Sequence, residues 1–496
     1  MYRKNFPLHL KHYLLALQAR KHGGRAYEMA EKYNNSESGI LDFSSNTNPL
    51  GTPFNFQASN LDLEKVVLQS TERINQYPDN RYLELRQAVA AYLGNDISAD
   101  NIIPGNGTCE LLRLIMETVV SEEDILIITA PSSGEYRHIA EVFGARISSF
   151  TTKEILNLPK MTLDRAKVIV IGNPGNPTGE LIPREKLSGF AEKCSEHGTL
   201  LIVDESAIEL ADPDESVFNI AVDNDYLFVI RSVSNITAMP GIRLAYAVAS
   251  VSLASILNSA RLSWNIGVTD EAIGIAFLTM EGGHDSEYLR TSREYIKRER
   301  TYITKRFSGI YGFEPLESST NYILIDVKDL FLDSVRLTEG LASHGILIRE
   351  CSDFFNGNKR YVRISIRTRE DFEKLIHTLD TVFAETSRED AREKLEETIE
   401  HGGSSCAGRG TCEYYPCHFT GQDCTFCFCP FYACEDERTG GKWIESSTGG
   451  QVWSCEHCTL LHRPKVAKKV LEALMADGDT DDNIRRAWKE IIIPLL

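Results

Sequence analysis

Five short runs rich in Val, Ile and Leu constrain this chain most. DILIITA, AKVIVIG, TLLIVDE, YLFVIRS and RLAYAVA lie between residues 124 and 249, each bounded by turn or charge signals. Between and around them, LEKVVLQSTERI, YLELRQAVAAYL and REKLSGFAEKCSEHG carry apolar residues at helical spacing. Runs of this kind alternating with amphipathic helices predict buried strands in an α/β sheet, over residues 51–265. Long helices follow over 267–310, then NYILIDV, ILIRE and YVRISIR as strands of a second, smaller layer over 266–385. Residues 1–50 are expected to join that smaller domain.

Sharp turns at the ends of several runs carry the candidate chemistry. In IIPGNGTCELLRL, Gly105 and Gly107 give the backbone room, and Thr108 and Cys109 open a helix whose free N–H groups suit an anion. NPGNPTGE forces a turn after AKVIVIG and aims Asn176 above the strand ends. Asp204, in VDES, ends the next strand, where α/β sheets bind ligands.

In this order the pieces resemble fold-type-I pyridoxal-phosphate (PLP) aminotransferases, and within them the threonine-phosphate decarboxylase family. The resemblance covers about residues 20–385. HGG at 22–24 and LDFSSNTNPLG at 41–51 point to that branch. YPD at 77–79, GNGT at 105–108, NPGNPTG at 173–179, VDES at 203–206, PGIRLAY at 240–246, ILIRE at 346–350 and YVRISIRT at 361–368 complete the series. The fold implied is a three-layer large domain with a small α/β domain, in a homodimer. The activity implied is conversion of L-threonine O-3-phosphate to aminopropanol phosphate for the cobalamin side chain.

The resemblance also assigns roles. Asp204 pairs with the pyridine nitrogen and Asn176 with the ring hydroxyl oxygen. Gly107, Thr108, Ser232 and Arg243 hold the cofactor phosphate. Arg363 clamps the substrate carboxylate, and His22, Asn46 and Arg349 hold the substrate phosphate.

Three positions depart from the pattern. The family lysine lies eight residues before the phosphate arginine, and here SVSNITAMPGIR places Asn235 there. No lysine occurs between Lys193 and Lys297. A carboxamide cannot form a Schiff base. The family tyrosine after the pyridine aspartate is Ala207, and the ring-stacking aromatic is Ser133. Three readings remain open. The chain is a scaffold or partner subunit, a residual PLP enzyme fed a preformed cofactor–substrate adduct, or a PLP-independent binding, phosphoryl-transfer or regulatory homologue. No GxxxxGK[ST] phosphate loop supports nucleotide binding.

Nine of the twelve cysteines fall between Cys406 and Cys458. Cys424, Cys427 and Cys429 form C-x2-C-x-C, and Cys455 and Cys458 form C-x2-C with His462 four residues on. Cys412, Cys417, His418 and Cys434 complete the candidate ligands. Soft donors at this density predict a metal module over 406–466, with zinc or an iron–sulfur cluster as occupant. The segment also resembles a small cysteine-rich domain attached to cobalamin-pathway proteins. A charged, then Gly/Ser-rich linker is expected over 386–405, and a helical tail over 467–496.

The remaining signals concern partners and location. The formal net charge of -18 argues against nucleic acid as a general partner. No apolar run reaches the ~20 residues that span a bilayer, and the N-terminal stretch lacks a secretory h-region. A cytoplasmic protein acting on a small phosphorylated amino acid, without membrane attachment, is the expectation.

Overall fold

The computed structural model describes residues 11–17, 23–33, 39–94, 97–400 and 415–496. His22, Cys406 and Cys412 lie outside the described residues. The chain divides into two units, Met1–Phe372 and Glu373–Leu496.

The first unit is built on a seven-stranded sheet. Its strands are β1 (Ile102–Gly105), β2 (Ile125–Thr129), β3 (Arg146–Phe150), β4 (Ala166–Gly172), β5 (Leu200–Asp204), β6 (Leu227–Ser232) and β7 (Ala245–Val248). The lateral order is β1-β7-β6-β5-β4-β2-β3. Only β7 runs against its neighbours; the other pairs are parallel. The central strands are buried along nearly their whole length, so they read as continuous apolar runs rather than alternating ones.

Register explains where chemistry collects. Gly172 pairs with Asp204, and Asp204 with Ile230. Ser232 and Gly105 both pair with Ala245, from opposite sides. The carboxyl ends of β1, β4, β5 and β6 therefore finish along one edge of the sheet.

A smaller antiparallel sheet contains β8 (Glu314–Pro315), β9 (Tyr322–Asp326), β10 (Arg349–Glu350) and β11 (Tyr361–Ser365), in the order β10-β11-β9-β8. Leu41–Asp42 pairs in parallel with Ile346–Leu347. That pairing ties the segment carrying Asn46 to the smaller layer.

The linker expected at 386–405 is not one over its described part. Residues Arg369–Glu400 form a single helix. Its charges are the outer face of an amphipathic element: Arg392 pairs with Glu396 at 3.3 Å and Lys394 with Glu397 at 2.8 Å. On the opposite face Leu395 and Ile399 join the core of the second unit. The helical tail is likewise no appendage. Ala467, Val470 and Leu474 of the helix Pro464–Leu474, with Ala487 and Ile492, pack with Phe426, Phe431, Leu460 and Leu461. A hairpin of β12 (Lys442–Glu445) and β13 (Gln451–Ser454) completes this unit. Its turn is fastened to the long helix by Ser446 and Thr448, whose hydroxyls donate to Asp380.

Candidate active site and cysteine-rich module

The anion cradle forms at the end of β1. Gly107 caps the helix Thr108–Val119 with φ +78°. A Cβ there would meet Arg243 Nη2 at 2.5 Å. Glycine suits the backbone angle, and it lets the guanidinium lie close against the turn. Arg243 is exposed and its Nη1 donates to the Pro240 carbonyl at 3.0 Å. The fork thus lies beside the N-terminus of a helix, whose first N–H groups have no intrahelical acceptor, a combination that attracts phosphate.

Asp204 stands half-buried at the end of β5. Tyr136 Oη donates to its Oδ2 at 2.7 Å, and the Ser206 amide to its Oδ1 at 3.0 Å. Burial and the neighbouring carboxylate push the Tyr136 phenol well above its ordinary pKa, so it remains a donor. Tyr136 was not singled out from the sequence. Its signal is its place in PSSGEY, three residues after Ser133. Ser133 itself caps the helix Gly134–Val142, accepting from the Glu135 amide. A small hydroxylic residue thus suits the helix start where the family pattern has an aromatic.

Asp204, Asn176, Asn46, Asn235, Ala207 and Tyr136 share one cavity of about 50 Å³, together with Asn321 and Tyr322. No lysine lines it. Asn235 sits three residues beyond β6, and its carbonyl accepts from the Asn48 amide at 3.0 Å.

Arg349 and Arg363 are direct cross-strand partners on β10 and β11. Their exposures are 7% and 4%. Like charges opposite one another are unfavourable, and burial adds to the penalty. Arg349 is met by Asp353 at 2.6 Å. Arg363 donates to Asn176 Oδ1 and to the Ser44 carbonyl, and lies over the Tyr322 ring at 5.1 Å. Among the described residues, no carboxylate stands within ion-pair distance of Arg363, and its Nε has no hydrogen-bond partner. The site carries uncompensated positive charge suited to an anion. Asn46 reaches the same strand through Ser365, whose hydroxyl donates to its Oδ1 at 3.1 Å. Gly23, beside the undescribed His22, lines a separate cavity with Arg349, Arg25 and Lys32.

In the second unit the thiols fall into two neighbourhoods. Cys434, Cys455 and Cys458 are neighbours of Cys429. Burial first, then those neighbours, raises Cys429 and pushes Cys455 up to about 11. Gln422 Nε2 contacts Cys417 at 3.0 Å and Cys424 at 3.4 Å. The His418 and His462 rings stack at 4.2 Å, and His462 Nδ1 faces the Asp423 carbonyl at 3.0 Å. Cys427 lines a cleft of about 390 Å³ with both histidines, Cys429, Cys455 and Cys458. Among the described residues, no group of three or more His, Cys, Asp or Glu side chains stands in metal-holding geometry. The described members of the expected ligand set lie in these neighbourhoods without closing a site. Its donors are chemically soft, and their thiols and imidazoles suit zinc or iron.

Comparison with known proteins decides the lineage of the first unit. The family model for aminotransferase class I and II matches residues 38–379. The chain belongs to that family. A model described as a cysteine-rich small domain matches residues 404–484, reaching into the stretch read from sequence as a tail. This family member is 30% identical over 375 residues to a protein of Caldanaerobacter subterraneus subsp. tengcongensis, provisionally named a threonine-phosphate decarboxylase. The match covers 74% of this chain and 94% of that one. It is 26% identical to a histidinol-phosphate aminotransferase of Methanosphaera stadtmanae, covering 72% of this chain and 94% of the other. The fold is shared with the histidinol-phosphate aminotransferase of Sinorhizobium meliloti solved with pyridoxal 5′-phosphate. That structure superposes with a TM-score of 0.65 at 22% identity, over 76% of this chain and 98% of that one. Among the described residues, no helix is long and apolar enough to cross a membrane.

Proposed function

We propose that this aminotransferase-family chain recognises L-threonine O-3-phosphate and acts in cobalamin side-chain synthesis as a threonine-phosphate decarboxylase-like protein. The carrying observation is the buried cross-strand pair Arg349 and Arg363. Two fixed cations on adjacent strands suit a ligand with two anionic groups, a carboxylate and a phosphate. Histidinol phosphate, with a phosphate and no carboxylate, supplies only one of the two anions.

Each residue then has a task. Arg363 forks onto the carboxylate, held in place by Asn176 and Ser44. Arg349, steadied by Asp353, takes the phosphate with Asn46 and His22. Gly107, Thr108, Ser232 and Arg243 would hold the phosphate of a pyridoxyl cofactor. Asp204 would keep its ring nitrogen protonated, and Asn176 would meet its ring hydroxyl. When bound, such a cofactor supplies an electron sink for charge released at the amino acid's α-carbon. The non-covalent contacts fit that group, but Asn235 removes the covalent one. This specific feature favours the second reading, a homologue that binds its ligands without Schiff-base chemistry.

The remaining proposals concern assembly and metal. A second copy is expected to cover the exposed Leu68, Ile74, Leu262, Tyr77 and Trp264, the last two stacked at 4.4 Å. The cysteine-rich unit is proposed to take zinc or an iron–sulfur cluster, supported by its donor chemistry.

Calorimetry tests the substrate assignment. Threonine phosphate should bind more tightly than threonine, and Arg349→Ala should weaken it by ~1–3 kcal/mol, the scale of a lost charge-assisted hydrogen bond. Equal affinity for the two amino acids would remove the assignment.

A further inference from the structure

The substitution at residue 235 changes more than the ability to form a covalent bond. A lysine there would do two things to a ligand bound in this cavity. It would condense with an aldehyde, and as an ammonium it would repel a second amine. Asparagine does neither, and it offers a carbonyl oxygen that accepts hydrogen bonds.

The surroundings point the same way. The cavity wall holds Asp204 and the amide side chains of Asn46, Asn176, Asn235 and Asn321, and no lysine. Among the described residues, no hydrogen bond engages the Asn235 carboxamide, whereas its backbone is fixed by the Asn48 and Ala238 amides at 3.0 and 3.2 Å. The residue's backbone is thus fixed while its carboxamide is left to meet a ligand. An aldehyde oxygen can accept only a neutral hydrogen bond from the carboxamide N–H, the weaker kind. A protonated aminomethyl group donates three.

We infer that Asn235 inverts the cofactor preference of this cavity, so that it binds pyridoxamine 5′-phosphate as a dissociable ligand more tightly than pyridoxal 5′-phosphate. The inference rests on the reading above that the cavity accepts a pyridoxyl group. Both vitamers share the ring and phosphate contacts to Asp204, Asn176, Gly107 and Arg243. They differ only at the carbon substituent, where the residue-235 side chain decides. The amine form should be favoured about tenfold or more, the range of a hydrogen bond to a charged group.

The test is titration of the full-length protein with each vitamer, by calorimetry and absorbance, without any amino acid present. Tighter binding of the pyridoxamine form is the expected result. In Asn235→Ala the preference should collapse, because the acceptor is gone. In Asn235→Lys it should reverse, with a borohydride-reducible adduct on residue 235. Circular dichroism confirms that each variant is folded, and the alanine variant suffices if the lysine variant is not. Equal or tighter binding of the aldehyde form by the unmodified protein overturns the inference, as does failure to bind either vitamer. A separate titration with threonine phosphate keeps the two claims apart. If the amine form binds and threonine phosphate does not, the substrate assignment fails and the role of Asn235 stands.

Discussion

The two units reach a folded state by different means. The first buries most of a seven-stranded sheet, and its acid Asp204 and several of its candidate site residues lie at strand ends. The second has a core of ten buried residues and surrounds it with thiols and imidazoles. A large sheet removes enough apolar surface from water to sustain itself, whereas the core cluster of the second unit is far smaller than that of the first. The first unit can therefore depart from the family pattern at positions 133, 207 and 235 and keep its architecture. The second has little such reserve.

Removing metal should separate the units most sharply. Metal affinity in a small thiolate module becomes folding free energy, roughly 10–16 kcal/mol for a structural zinc site. Chelation should unfold the second unit while leaving the first with its native protease resistance. Cys458→Ser should reproduce this in part. Protein purified without oxygen should carry at least one zinc or iron per chain by elemental analysis. An empty protein with freely alkylated thiols and an intact second unit would end the comparison in these terms.

The first unit has its own vulnerable point, which is ionic. Arg231, 2% exposed, pairs with Glu205 at 3.1 Å and also with Glu209, and donates to Ser216 at 3.0 Å. Burial raises the Glu205 pKa, with the arginine opposing it. Arg231→Met leaves two carboxylates in the interior without their cation. A loss of about 3–5 kcal/mol is expected by urea denaturation of the first unit. A loss under 1 kcal/mol would show that water or proton uptake compensates.

The smallest effect should come from the hairpin of the second unit. Asp380 receives the Ser446 and Thr448 hydroxyls. Asp380→Ala should cost about 1–2 kcal/mol and speed amide exchange in β12 and β13, with the metal content unchanged. If metal content falls as well, the hairpin and the thiols form one cooperative element.

Much of the first unit was legible because its strands are buried on both faces. DILIITA, AKVIVIG and TLLIVDE have few alternatives to a parallel sheet core. The cradle residues were legible for a related reason. Gly107, Asn176 and Asp204 terminate strands, and turn chemistry marks strand ends in one dimension. Tyr136 was not legible, because its role depends on a helix returning it to Asp204 across 68 residues of sequence. The segment SREDAREKLEETIE misled for the opposite reason. Its charges resemble those of a solvated linker, and its helical state depends on a core at Leu395 supplied by residues as distant as Ile492.

The sequence by itself determined the chemistry available: no lysine at position 235, an acid at 204, two arginines in apolar strands, and a crowd of thiols after residue 405. Tertiary structure decided what those groups do to one another. Arg349 and Arg363 are fourteen residues apart, and only antiparallel pairing sets them face to face. Identity is a property of single residues and survives in a string of letters. Charge compensation depends on distance and burial, which exist only once the strands have paired.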